Sequence, residues 1–227
     1  MTFGYRGLDR VTRRLKVKFR RRPDELEGRR AVFYLNIPPG KADEIGVVIS
    51  VDHLADAPRT STSRSTLSVA QSHHEWKETS TRALTSNDRF NAALDRSLTD
   101  MRVLWTERGP DLSYISAGVP WFDTLFGRDS ALTSMMSLAL RPEMAREVLR
   151  CLTRFQGKEV DIPREEEPGK IVHEVRQSEM ANTGEVVFGR YYGSIDSTPL
   201  FVLLAAEYYR WTADLELMRE LQPALNA

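Results

Sequence analysis

Two polar stretches of the chain gather the residue types that hold hydroxylated ligands. The first supplies Trp105, Trp121, Phe122, Asp123, Phe126, Arg128 and Asp129; the second supplies His173, Glu174, Arg176, Arg190, Tyr191, Tyr192 and Asp196. An aromatic face stacks on the C–H face of a sugar ring, while Asp and Arg beside it make charge-assisted hydrogen bonds to the hydroxyls. Taken singly, these residues have plainer readings. Asp129 is a good helix N-cap, and Trp121 and Phe122 are ordinary loop packing. Their concentration in two long loops, 106–128 and 157–196, is what points to a site, because long loops on a rigid scaffold are where binding residues gather.

The elements that must position these loops are helices. Phe90, Leu94, Ser97, Leu98, Met101, Leu104 and Trp105 recur at helical spacing behind the capping residues Ser86, Asn87 and Asp88. A second helix is expected from Asp129 to about Leu140. A third opens at Pro142, with Met144, Val148, Cys151, Leu152 and Phe155 on one face. Thr198-Pro199 starts a fourth, LFVLLAAEYYRW, apolar nearly all round and therefore expected to be buried. Asp214 starts a fifth, whose pattern of Met218, Leu221 and Leu225 reaches Ala227.

Ahead of the helices, residues 1–54 read as strands. Leu15–Phe19 alternates apolar and polar, Val47–Val51 does so more loosely, and Ala31–Ile37 is rich in strand formers before the turn Pro38-Pro39-Gly40. Three strands with one apolar face need a partner sheet to cover it. The basic run Arg13–Arg22 alternates with apolar residues and reads as the solvated face of a strand, not as a nucleic-acid patch. Residues 55–82 read as a linker, the Ser/Thr/Ala-rich run Ala55–Ala70 lacking any periodicity.

Composition narrows the classes. The 227 residues carry a formal net charge of +0 with 28% charged side chains, so no global field argues for nucleic acid. A lone cysteine, Cys151, forms no intramolecular disulfide and falls on an apolar helix face; it is expected in the core, in a reducing, cytoplasmic setting. No apolar run reaches the roughly 18 residues of a membrane span. The only neighbouring histidines, His73-His74, have no matching ligand constellation, so no metal or cofactor is expected.

The run AGVPWFDTLFGRDSALTSMM, followed by GKIVHEVR and YYGSIDSTPLFVLLAAEYYRWTAD, resembles the bacterial glycogen debranching enzyme (amylo-α-1,6-glucosidase) family, within the six-hairpin glycosidases. Residues 3–52 resemble the end of that family's N-terminal β-domain. The resemblance implies a multi-domain β + α chain: the end of an N-terminal β-sandwich at 1–54, then the first helices of an (α/α)6 barrel at 83–227. It implies an inverting glycoside hydrolase acting on α-glucans. Arg128 and Asp129 would grip a terminal glucose, Trp121 and Phe122 would form the adjacent wall, and Tyr191, Tyr192 and Asp196 would contribute from the second loop. It also implies that the catalytic acid and base belong to later helices, beyond Ala227, so that this chain is inactive alone. A partial barrel would leave apolar helix faces bare around Leu200–Ala206. Two other readings stand beside it: a carbohydrate-binding fragment without catalysis, and a related glycosidase of trehalase, rhamnosidase or mannosylglycerate hydrolase type. The sequence does not distinguish among sugars, linkages or oligomeric states.

Overall fold

A computed structural model describes residues 1–53, 66–109 and 112–227, and the chain divides into two compact units, Met1–Thr62 and Ser63–Ala227. The architecture is mixed α/β, with small antiparallel sheets and several helices. Among the described residues no helix is long and apolar enough to cross a membrane.

The first unit is built on strands β1 (Thr2–Arg6), β2 (Thr12–Phe19), β3 (Glu25–Glu27), β4 (Arg30–Val32) and β5 (Val47–His53). β2 lies between β1 and β5, antiparallel to both. Register sorts the side chains by face: Leu15 pairs with Phe3 and Val51, Val17 with Ile49, and Phe19 with Val47. Side chains paired in this way share one side of the pleat, so the apolar residues form one face. The basic residues Arg14, Lys16 and Lys18 take the intervening positions, as the alternation implied. β1 adds a strand to the three that the alternation singles out within residues 1–54. The expected strand Ala31–Ile37 shrinks to β4, which among the described residues pairs with β3 around Gly28, a residue at φ 54. A left-handed residue there closes a tight turn that glycine adopts without steric cost.

The second unit carries the hydrophobic core; every member of the buried apolar cluster lies between Trp76 and Ala224. Its first element is α1 (Thr66–Glu78), which corrects the linker reading. Residues 54–65 of the expected linker lie outside the described residues; from Thr66 the chain is helical. What holds α1 is tertiary. The Trp76 indole donates to the Leu98 carbonyl at 3.0 Å and meets Trp105 at 6.0 Å between ring centres, and the Arg141 guanidinium sits 3.9 Å over its ring. That placement combines buried aromatic area with a cation–π contact.

α2 (Asp88–Leu104) begins at Asn87, whose side chain accepts from the Arg89 and Phe90 amides. The hairpin β6 (Trp105–Glu107) and β7 (Ser113–Ile115) follows, then β8 (Leu125–Phe126), α3 (Gly127–Met136) and α4 (Pro142–Arg154). α4 starts at proline, as expected, and buries Met144, Ala145, Val148, Leu149, Cys151 and Leu152 along one face. Each large apolar side chain on that face contributes about 1.5–3 kcal/mol relative to exposure. Cys151 is thus a core residue.

β9 (Glu174–Val175), the short α5 (Glu179–Thr183), α6 (Ser197–Thr212) and α7 (Leu215–Leu225) complete the chain. α3 packs on α4 and α6, and α4 packs in turn on α6 and α7. α7 is capped by Asp214, whose carboxylate accepts from the Leu217 amide. α6 is not buried all round, and bare apolar surface falls within the stretch Leu200–Ala206. It buries Ser197, Phe201, Leu204, Ala205 and Tyr208, but Val202, Leu203, Tyr209 and Trp211 are exposed, so only one face of this apolar helix is covered.

Candidate functional site

The two residue-rich loops meet because short backbone ladders join them. Leu125 pairs with Val175 and Phe126 with Glu174. The Gly127 amide donates to the His173 carbonyl at 2.9 Å, and the Thr124 hydroxyl donates to the Val175 carbonyl. On the far side the Tyr191 amide donates to the Glu174 carbonyl at 3.0 Å, and the His173 amide to the Tyr191 carbonyl at 2.7 Å. Segments 124–127, 173–175 and 191 therefore lie side by side.

Two glycines make this approach possible. A Cβ on Gly127 would sit 2.1 Å from the Val172 carbonyl oxygen, and one on Gly193 would sit 2.1 Å from the Tyr191 hydroxyl. At Gly127 the obstacle is backbone, so no side chain fits without parting the loops; at Gly193 it is the end of the Tyr191 side chain, which would have to swing aside. The need for Gly127 also corrects the start of α3. The helix begins there, Phe126 holds the N-cap position without a side-chain bond, and Asp129 lies in the first turn instead of capping it. A carboxylate in the first turn still meets the positive end of the helix dipole. Ser130, fully buried, donates to the Ile115 carbonyl at 3.0 Å and ties the helix to β7.

Across the joined segments runs a ladder of rings in edge-to-face contact. Phe122 meets Phe126 at 5.8 Å, Phe126 meets His173 at 5.6 Å, His173 meets Tyr191 at 6.0 Å, and Tyr191 meets Phe188 at 5.5 Å. Such contacts add about 0.5–1.5 kcal/mol per aromatic pair beyond buried area. The Tyr191 hydroxyl donates to Glu165 at 2.8 Å, and this bond above all pushes the phenol's pKa up. Trp121 stands at the tip of a small hairpin closed by reciprocal Gly118 and Phe122 amide–carbonyl bonds, with 78% of its surface exposed.

Beside the ladder lies a charged group. Arg128 donates to Asp196 at 3.2 Å and approaches Asp129 at 3.9 Å. Asp196 is held below the usual carboxylate range, first by the Ser194 hydroxyl bonded to it and then by Arg128. It occupies the N-cap position of α6 but makes no capping bond, its oxygens being turned to Ser194 and Arg128. Asp129 also faces a groove of about 390 Å³ lined by Asp100, Met101, Leu104, Ser116 and Thr133. A wider cleft of about 620 Å³ lies beyond Gly193 and Ser194, bordered by Glu165, Lys170 and Thr198.

Of the residues read from the sequence, Phe122 and Tyr191 belong to the ring ladder, and Arg128, Asp129 and Asp196 form the charged group. Trp121 stands exposed next to Phe122. Tyr192 is a correction: it is 1% exposed, its hydroxyl donates to the Phe155 carbonyl at 2.9 Å, and it presents no surface to a ligand. Neighbours on an extended segment point to opposite sides, so Tyr191 and Tyr192 do not share a face. Phe126, His173, Glu174 and Arg176, noticed for their chemistry but not assigned to the site, are the joints of the assembly. Among the described residues no group of three or more His, Cys, Asp or Glu is placed to hold a metal ion.

Residues 1–48 match the family model of the N-terminal domain of (some) glycogen debranching enzymes. The match covers 48 of the 227 residues, within the sheet unit, and supports a relationship to debranching enzymes. No curated protein matches the chain significantly.

Proposed function

We propose that this chain is part of a glycoside hydrolase of the glycogen debranching type, acting on α-glucans by inverting hydrolysis. Its loops 118–129 and 173–196 supply part of a glucose-binding subsite. The observation that carries this reading is the convergence of the two loops: an exposed indole, a ring ladder and the Arg128–Asp196–Asp129 group are brought together by β8, β9 and Gly127. Trp121 and Phe122 stack against sugar faces, and Arg128 with Asp129 and Asp196 hydrogen-bonds hydroxyls.

The same geometry argues against proton transfer here. Inverting hydrolysis needs a protonated carboxyl as acid and a second carboxylate as base, roughly 6.5–9.5 Å apart on opposite faces of the bond. A useful acid has its pKa raised toward the working pH. Asp196 is shifted the other way, and Glu174 is bonded to Arg176 at 2.7 Å. We therefore assign Asp196 and Glu174 to binding and not to the acid's role; the placement of both acid and base elsewhere follows the resemblance to debranching enzymes. The test is glucose release from a branched α-glucan together with maltotriose titration. The chain is expected to bind maltotriose saturably without releasing glucose; hydrolysis at the rate of a complete debranching enzyme would contradict the assignment.

A further inference from the structure

Trp121 sits at the tip of its hairpin with a bare ring, and its position is set through the backbone. The Arg176 Nη1 donates to the Trp121 carbonyl at 3.2 Å, bridging 55 positions of sequence. Arg176 is itself fixed from three sides. Its Nε donates to Glu174 Oε2 at 2.7 Å, its guanidinium lies 5.8 Å from the centre of the Phe126 ring, and its own amide donates to the Phe188 carbonyl at 2.8 Å. Glu174 is only 5% exposed, and its backbone is locked between Phe126 and Tyr191, so the carboxylate that aims the guanidinium is anchored in the ring ladder.

We propose that Arg176 is a positioning residue for Trp121: the buried Glu174 carboxylate orients the guanidinium, and the guanidinium pins the hairpin tip so that the backbone presenting the indole is held in place before a ligand arrives. This rests on the reading of Trp121 as a stacking surface for an α-glucan. The planar fork is what the task requires. One nitrogen bonds the carboxylate while another reaches the carbonyl in a fixed direction, which the single ammonium of lysine does not reproduce. A hairpin tip fixed in advance binds more tightly than one ordered only on contact, because less backbone freedom is lost on binding.

The test uses the 227-residue chain labelled with 5-fluorotryptophan, whose four indoles give separate fluorine signals, that of Trp121 being assigned by its loss in Trp121→Phe. Two variants are compared with the wild type: Arg176→Lys, and the pair Glu174→Gln with Arg176→Met, which leaves no unpaired buried charge. In both, the Trp121 signal is expected to move while those of Trp76, Trp105 and Trp211 stay in place, and the Kd for maltotriose is expected to rise about tenfold. An unmoved Trp121 signal, an unchanged Kd, or displacement of the Trp76 and Trp105 signals as well would overturn the inference, the last by making Arg176 a general structural residue. Failure of the underlying reading has a different signature: Trp121→Ala then binds maltotriose as the wild type does, and the role of Arg176 in affinity falls with it.

Discussion

The two units of this chain differ in what holds them and in what they reveal. The sheet unit rests on ladder hydrogen bonds around β2, and its apolar face is only half covered; Ile49, on the edge strand β5, is 63% exposed. The helical unit buries a continuous cluster from Trp76 to Ala224 and on that base can hold two long loops together. Relationship to a known family is read from the first unit, and chemistry from the second.

The contrast is tested first by equivalent truncations. Phe201→Ala, at the centre of the helical core, is expected to cost about 3–5 kcal/mol in chemical denaturation. Ile49→Ala in the sheet is expected to cost less than about 1 kcal/mol, since its side chain is already in water. Equal costs would erase the distinction between the units. Next in size is Gly127→Ala, which forces a methyl against the Val172 carbonyl and is expected to cost roughly 1–3 kcal/mol while parting the two loops. Its sign is read from the denaturation midpoint and its effect on the site from lost maltotriose binding. A neutral result would mean that the loops do not depend on this approach.

The smallest effect is acid sensitivity. Asp196, Asp214 and Glu220 in the helical unit are all held below the usual carboxylate range, first by Ser194, by the Leu217 amide and by Arg150 respectively. Groups with depressed folded pKa values stabilise the fold above their unfolded pKa, near 4, and lose that contribution as pH falls through the folded values. The thermal midpoint of the helical signal should therefore fall modestly between pH 6 and pH 3. The fall is modest because water reaches all three groups. A midpoint that rises on acidification would contradict the sign.

Much of the helical framework was legible because its signals are local. Asn87 and Asp214 announce their helices by capping, Pro142 opens α4, and the apolar spacing of Met144, Val148 and Leu152 marks its buried face. What the sequence concealed depends on partners far along the chain. α1 looks like linker until Trp76 meets Trp105 and Arg141, and β1 gains its identity from pairing with β2. In the site, residue types were legible but directions were not. Asp129 reads locally as a cap because nothing nearby shows that Gly127 must pass close to Val172, and Tyr191 and Tyr192 look alike in sequence although alternation sends Tyr192 into the core. The role of Arg176 is invisible without the fold, since its partner Trp121 lies 55 positions away.

The central claim is that the converged loops form a subsite for an α-glucan, and calorimetric titration of maltotriose tests it most directly. Wild type, Trp121→Ala and Arg128→Ala are compared under conditions where all three give the same helical signal. Saturable binding by the wild type, weakened at least about tenfold by each substitution through loss of stacking or of charge-assisted hydrogen bonds, is the predicted result. Absence of binding by the wild type, or equal affinity in all three, would contradict it.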